Sequence, residues 1–397
     1  MHDLEYRPVG PDPGLDEAPI TAADELGAIG ELTTPRPEPA SHRRPASHRS
    51  GRFMGHLGHV PEHEVPHPSL RWLARAGGLL VGVLAISIAF IASYVGALHE
   101  PAPHGVPVAV VDGDLGAQAL LSSIGQRGSG LATRTYDTPD AADQALNDRQ
   151  VYAVLTTDPA SDGLRLTVAG AAAPGAADLV AQTVKTAATA TQIPLAVRDA
   201  HPPAARDPRG LTPFYLVLGW LLGGYLAATA LAIILGTVPR NAARLGMRLG
   251  AFAVFAALLG LAGVLIVGPG YGIWSGHTAA LWLTGTTAVF CAAVLTAALE
   301  GWVGLVGTGL AMLGLFILGN PGSGGVYPPE FLPGLFRDLH RWLPTGQATE
   351  LVRAVEYFGG HATGAPIFGL VSYVTIGLIL LLAATYALGH RHSRPSG

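Results

Sequence analysis

The stretch "GGLLVGVLAISIAFIASYVGAL", Gly77–Leu98, decides the fold class. It carries no charged residue, and as an α-helix it would rise about 33 Å, enough to cross a hydrocarbon core of about 30 Å. Arg71 and Arg75 precede it with Trp72 between them, the arrangement of an interfacial anchor. Five further apolar runs follow: Leu211–Gly236, Leu249–Gly268, Ala279–Leu299, Trp302–Gly319 and Pro366–Gly389. The reading is an α-helical polytopic membrane protein with six transmembrane helices.

Composition agrees. Of 397 residues, 49% are hydrophobic and 13% charged, the latter about half the share in soluble proteins. Lys185 is the sole lysine among 24 basic residues, and with abundant Ala and Gly this points to a GC-rich bacterial source. The net charge of −4 gives no sign of a nucleic-acid partner. One cysteine, Cys291, excludes an internal disulfide and reads as a small buried apolar residue.

The remaining segments divide around the spans. Residues 1–68 are rich in proline, acids and small residues without apolar periodicity, and read as a disordered tail. Seven histidines lie there (His2, His42, His48, His56, His59, His63, His67); a metal-binding tail and a merely solvated one are both open. Residues 69–98 form the interfacial segment and first span. Residues 99–210 change character, with charge returning and short β-rich runs: "VPVAVVDGD" (Val106–Asp114), "LATRTYD" (Leu131–Asp137), "VYAVLTT" (Val151–Thr157) and "LRLTVAG" (Leu164–Gly170). Helical spacing over Leu115–Gly125, Pro139–Arg149 and Ala176–Thr191 gives β-α-β-α-β-β-α, a small α/β domain between the first and second spans. Residues 211–389 carry the other spans and an outer hairpin at 320–365; residues 390–397 form a second tail.

Arginines orient the spans. Arg71 and Arg75, the loop "TVPRNAARLGMR" with Arg240, Arg244 and Arg248, and the end "HRHSRPSG" with Arg391 and Arg394 fall on one side when six spans are counted. The positive-inside rule makes that side cytoplasmic. Both termini are then cytoplasmic and the α/β domain is extracytoplasmic.

The stretch "GGVYPPEFLPGLFRDLHRWLPTG" (Gly324–Gly346) lies on the outer side. Over Glu330–Leu343, Phe331, Leu335, Leu339 and Trp342 share a helical stripe from which Arg337, Asp338 and Arg341 point away, as in an interfacial amphipathic helix. Pro344 ends it. A second helix, "QATELVRAVEYF" (Gln347–Phe358), has Leu351, Val355 and Phe358 as its apolar face. The expected object is a helical hairpin at the outer leaflet; a surface loop with no role in substrate handling is the alternative.

Several chemistries are unmarked. No GxxxxGK[ST], HExxH or GxSxG motif occurs, so no catalytic, cofactor-binding or metal-ligating residue is assigned, and the chain alone is not expected to bind ATP through a phosphate loop. "DGD" at Asp112–Asp114 reads as a strand-ending turn. No span has an ionisable residue near its middle, which disfavours a proton-driven transporter; Glu300 stands at the end of the fourth span. Glycines cluster at Gly219–Gly224 and at Gly301, Gly304, Gly307 and Gly309, fitting either a close helix seam or ordinary glycine enrichment.

The segment Asn320–Gly360 resembles the corresponding part of type-2 ABC transporter permeases, in particular their phage-infection-protein-like branch. The resemblance rests on Ser323–Gly325, Leu332–Pro333, Leu343–Pro344 and Arg353–Gly359, and on "VPVAVVDGDLG" as a first outer strand. It covers about residues 77–389, with the order span, outer domain, five spans; the long amino-terminal tail departs from it, and the outer domain is small for the branch. The resemblance implies a permease subunit of an ATP-driven exporter, working as a homodimer or heterodimer with a similar permease and powered by a nucleotide-binding ATPase subunit. Thr237–Arg248 would be the loop that docks on that ATPase, with Arg240, Arg244 and Arg248 on one face as its contacts. Pro333, Trp342, Pro344 and Arg353 would shape the outer hairpin. A non-transporting envelope protein whose outer domain binds a ligand or partner is the alternative.

Overall fold

The structure, a computed structural model, describes residues 70–389. The amino-terminal tail with its histidines, and the tail at 390–397 with Arg391 and Arg394, lie outside them.

Helix α1 (Leu70–Leu98) leads into the α/β domain: β1 (Val106–Val111), α2 (Leu115–Gly125), β2 (Leu131–Tyr136), α3 (Pro139–Asn147), β3 (Ala153–Thr157), β4 (Leu164–Val168), α4 (Pro174–Ala190) and β5 (Leu195–Asp199). The sheet order is β2-β1-β3-β4-β5. β1 runs parallel to β2 and β3, β4 is antiparallel to β3, and β5 is parallel to β4. β1 is apolar along its whole length because, as an inner parallel strand, it is covered on both faces. Asp114 caps α2 through the Ala117 amide at 3.0 Å and also accepts from the Thr157 hydroxyl at 2.8 Å, which ties the β1–α2 turn to β3. β5 adds a strand to the expected β-α-β-α-β-β-α order. It is an edge strand exposed over most of its length, so it lacks the apolar alternation that marks a half-buried strand.

Five helices are long and apolar enough to cross a membrane: Leu73–Leu98, Thr212–Leu235, Ala242–Gly270, Thr278–Val303 and Gly364–Leu388. The chain is a polytopic helical membrane protein. In the helical part, α5 (Thr212–Leu235) is followed by α6 (Ala242–Leu265), which continues as a π-helical turn, Ile266–Gly270, at Pro269. Next come α7 (Thr278–Val303) and α8 (Leu305–Met312). The expected fifth span, Trp302–Gly319, is not a full-length helix. Gly304 takes a φ of 61° and breaks it from α7, and a π-helical stretch, Leu313–Leu318, ends it before Asn320–Pro321. The resulting apolar helix, Leu305–Leu318, is shorter than the five spans.

α7 is the centre of the bundle: half of its most apolar window is buried, against 6% for α1 at the periphery. Helices approach it where side chains are missing. A Cβ on Gly224 of α5 would collide with the Val289 carbonyl of α7, and one on Gly260 of α6 would lie 2.7 Å from the Thr286 amide. In lipid, where dispersion drives association, such close approach is what holds helices together. Gly224 and Gly307 thus build seams inside one chain; Gly307 lies against the Leu299 backbone.

The outer segment departs from the expected hairpin. A 3-10 turn, Pro329–Phe331, stops at Leu332–Pro333, and α9 spans only Gly334–His340. Pro333 sets this boundary because proline disfavours helical backbone in the residue before it. Leu332, Phe336 and Leu343 are buried, whereas Leu335 and Trp342 of the expected stripe are exposed. α10 (Pro344–Tyr357) is no surface helix. It packs among α5, α7 and α11 (Gly364–Leu388), with Thr345, Thr349 and Arg353 buried as well as Leu351 and Val352. A small residue helps permit this: a Cβ on Gly369 of α11 would lie 2.9 Å from the Gln347 side chain of α10.

Candidate functional site

The densest polar cluster lies where the α/β domain meets α10. Pro344 at the first turn starts α10, its missing N–H costing nothing there. The hydroxyl of Thr345 donates to the Leu315 carbonyl at 3.0 Å, and that of Thr349 to the Thr345 carbonyl at 2.8 Å, so both polar groups are satisfied inside the bundle. One turn on, Arg353 is 3% exposed. Its Nη1 donates to the Gly324 carbonyl at 2.9 Å and to Glu350 Oε1 at 3.0 Å, and its Nη2 to the Gly325 carbonyl at 3.3 Å. The Ser-Gly-Gly turn is compact enough for this because Gly324 takes a φ of 70° and Gly325 packs on the Phe214 ring.

Glu350 links Arg353 to the α/β domain. Its Oε2 accepts from Arg149 Nε at 3.1 Å, and Arg149 Nη1 donates to the His361 carbonyl at 3.2 Å. Arg149 sits just past α3 with a φ of 57°, a left-handed conformation that an arginine adopts only where its surroundings fix it. Burial would raise the Glu350 carboxyl, but Arg353 and Arg149 outweigh it and hold it at about 2. Glu350 is therefore ionised, and the Arg149–Glu350–Arg353 chain carries two cations around one anion.

The packing around this chain is shared between domain and bundle. Phe358, immediately after α10, is 1% exposed and belongs to the core of the α/β domain, with Phe331 and Tyr357 packed against that core. The Arg149 guanidinium lies 5.1 Å from the Phe358 ring centre. His201 stacks on the same ring at 4.4 Å and places its ring nitrogens 2.9 Å from the Tyr357 carbonyl and 2.7 Å from Asn147 Oδ1. Tyr152 donates to Glu330 Oε2 at 2.7 Å; burial first, then Glu330, pushes its hydroxyl well above the usual tyrosine range, so it stays a donor. Trp274 donates to the Tyr357 hydroxyl at 2.9 Å. His277 lies 3.6 Å from Glu356, and His361 3.6 Å from Asp148. The α/β domain is thereby plugged, bonded and stacked onto one helix that is itself buried in the bundle.

The other charged place is the far end of the bundle, in the turn between α5 and α6. Asn241 caps α6 by accepting from the Arg244 amide at 2.9 Å, so the helix begins earlier than the apolar run suggests and Arg240 precedes it. Arg240 and Arg244 are exposed, whereas Arg248 is 3% exposed and turned inward. Arg248 donates to the Thr237 carbonyl at 3.0 Å and to the Gly236 carbonyl, closing the turn. The three arginines do not form one exposed face. Behind the turn Glu300 is buried, its Oε1 accepting from the Thr229 and Thr308 hydroxyls at 2.9 Å each. A cleft of about 400 Å³ is lined by Ile234, Leu235, Pro239, Arg240, Arg244, Met247 and Arg248.

Of the residues singled out in the outer segment, Arg353 holds the Ser-Gly-Gly turn, Pro333 and Pro344 start α9 and α10, and Trp342 is exposed at the turn between them. The sequence reading missed Arg149, Glu350 and His201. The signal for Glu350 and Arg353 was their i, i+3 spacing on one helix; nothing in sequence pairs either with residue 149. Comparison with protein families, with curated proteins and with solved structures finds no match to this chain.

Proposed function

We propose that this chain is the membrane-spanning permease subunit of an ATP-driven exporter in a bacterial cytoplasmic membrane. Its α/β domain is extracytoplasmic, both termini are cytoplasmic with the short Leu305–Leu318 helix as the sixth crossing, and a separate nucleotide-binding ATPase docks near Thr237–Arg248. Two copies, or this chain and a similar permease, form the pathway. The observation that carries the reading is the Arg149–Glu350–Arg353 chain together with Phe358. A domain that only anchors a binding module needs no buried connection to the bundle interior. In a transporter such a connection would let movement of the helices reach the outer domain through packed elements. The arginine distribution and the resemblance of Asn320–Gly360 to type-2 permeases support the same reading.

The test is purification of the full chain from its native membrane, followed by mass spectrometry of what accompanies it. A stoichiometric nucleotide-binding ATPase is expected, and its loss on replacing Arg240 and Arg244 by glutamate places the docking loop. Repeated purification with no ATPase would overturn the exporter reading. Orientation is tested with single cysteines at Ser161 and Ser393 in a Cys291→Ala background. An impermeant thiol reagent applied to intact cells should label position 161 alone, and labelling of 393 alone would invert the topology.

A second reading, an envelope protein whose outer domain binds a ligand, is favoured by one feature. A groove of about 380 Å³ runs between α2 and α4, lined by Ile124, Arg127, Ser129, Leu179, Gln182 and Thr183 among others. Ligand binding that survives ATPase removal, with no transport in reconstituted vesicles, would favour it.

A further inference from the structure

The cleft at the α5–α6 turn has two chemically distinct walls. Arg240 and Arg244 form one, both exposed. Ile234, Leu235 and Met247 form the other, exposed by 76%, 55% and 70%. These apolar side chains belong to the ends of two helices long and apolar enough to cross a membrane, Thr212–Leu235 and Ala242–Gly270.

Among the described residues, Arg240 and Arg244 at this cleft have no acidic partner. Every ion pair among the described residues lies in the α/β domain or at its junction with the bundle. No acid occurs in the first turn of α6. Arg248 spends its guanidinium on the Gly236 and Thr237 carbonyls and stands over the buried Glu300, so it is the floor of the cleft and not a free cation. Arg240 and Arg244 are left facing outward at a helix start whose peptide dipole adds positive potential.

Two exposed guanidiniums beside exposed alkyl groups at the end of a membrane span match one ligand class. We propose that this cleft binds an anionic phospholipid, its phosphate between Arg240 and Arg244 and its chains along Ile234, Leu235 and Met247. Two neighbouring cations suit a phosphate by charge and by charge-assisted hydrogen bonds to its oxygens. Basic pockets beside spanning helices bind anionic headgroups by this chemistry. The exporter reading assigns these same two arginines to the ATPase, so the lipid site competes with that contact and is measured on the chain alone, without the ATPase.

Native mass spectrometry of the full chain, with phosphatidylglycerol and phosphatidylcholine supplied together, tests it. The expected result is preferential retention of phosphatidylglycerol by tenfold or more, reduced to within threefold of parity in Arg240→Gln/Arg244→Gln. Unchanged preference in that folded variant overturns the site. Arg240→Lys/Arg244→Lys keeps the charge and is expected to keep the preference within threefold of the parent, which also serves should the Gln pair not fold; loss of preference in the folded Lys pair overturns the assignment equally. Glycerol 3-phosphate in millimolar excess separates the two sources of phosphate. Displacement of the bound lipid by it would contradict a site that needs the chains, and retention is expected.

Discussion

The two ends of the bundle hold their charges in opposite ways. Where the bundle meets the α/β domain, charges are paired and desolvated: Arg149, Glu350 and Arg353 form a continuous chain, and Tyr152, Glu330, His201 and Phe358 close around it. At the α5–α6 turn one arginine is buried against carbonyls and two stand unpaired among the described residues. The first arrangement ties the α/β domain to α10, and loss of a member leaves a buried charge or carbonyl without its partner. The second leaves two guanidiniums exposed, and exposed charge contributes little to folding. Removing one partner from a buried pair costs several kcal/mol, whereas exposed charges are worth about 1 kcal/mol or less.

The sharpest way to break the comparison is Arg353→Ala. It leaves Glu350 with one cation and the Gly324 and Gly325 carbonyls without their donor. A loss of about 3–5 kcal/mol in unfolding from mixed micelles is expected, or failure to accumulate in the membrane. A loss below about 1 kcal/mol would mean that the buried chain is not structural.

Gly224→Leu probes a seam that neither end contributes to. The added side chain meets the Val289 carbonyl and Ala292 of α7, and overpacking of about 1–3 kcal/mol is expected from the same unfolding measurement. Arg149→Ala should cost about 1–3 kcal/mol. Its informative readout is local: hydrogen exchange should speed up in 145–152 and 357–362 while α7 stays protected.

Acid should separate the ends as well. The folded-state carboxyl of Glu350 lies at about 2, below its ordinary 4.5, so its contribution is fully present above about pH 4.5 and is lost as pH falls towards 2. Glu356, raised by burial against the opposing effect of His277, contributes with the opposite sign: its part is present at low pH and lost as pH rises through its folded-state value. Protection of 357–362 should therefore decline below pH 4.5 in the parent and stay flatter in Glu350→Gln. The smallest effect belongs to the far end: Arg240→Ala/Arg244→Ala should change stability by no more than about 0.5 kcal/mol, and a larger loss would show that these side chains have internal partners.

What the sequence allowed follows the same division. Five spans were legible because apolar runs long enough to cross lipid have few other readings, and the α/β domain because β1 and the α2 spacing carry strong local periodicity. The short Leu305–Leu318 helix was not, since composition does not reveal the break at Gly304 or the π-helical end. α10 was legible as a helix but not as a buried one: Thr345 and Arg353 look solvent-facing until their carbonyl partners at 315, 324 and 325 are in place, and Thr349 is satisfied by the Thr345 carbonyl of its own helix. Arg248 misleads in the same manner, since a buried arginine satisfied by backbone carbonyls has the same sequence signature as an exposed one. The central cluster depends on Arg149 and Glu350, which are far apart in the chain, and no spacing rule joins them.

The most direct measurement is a double-mutant cycle on Arg149→Ala and Glu350→Gln, read by unfolding of the full chain in mixed micelles. If the α/β domain is locked to the bundle through this pair, the two changes are non-additive, with a coupling of at least about 1 kcal/mol. Additivity within about 0.3–0.5 kcal/mol would contradict the account, leaving Phe358 packing alone to hold the domain to α10.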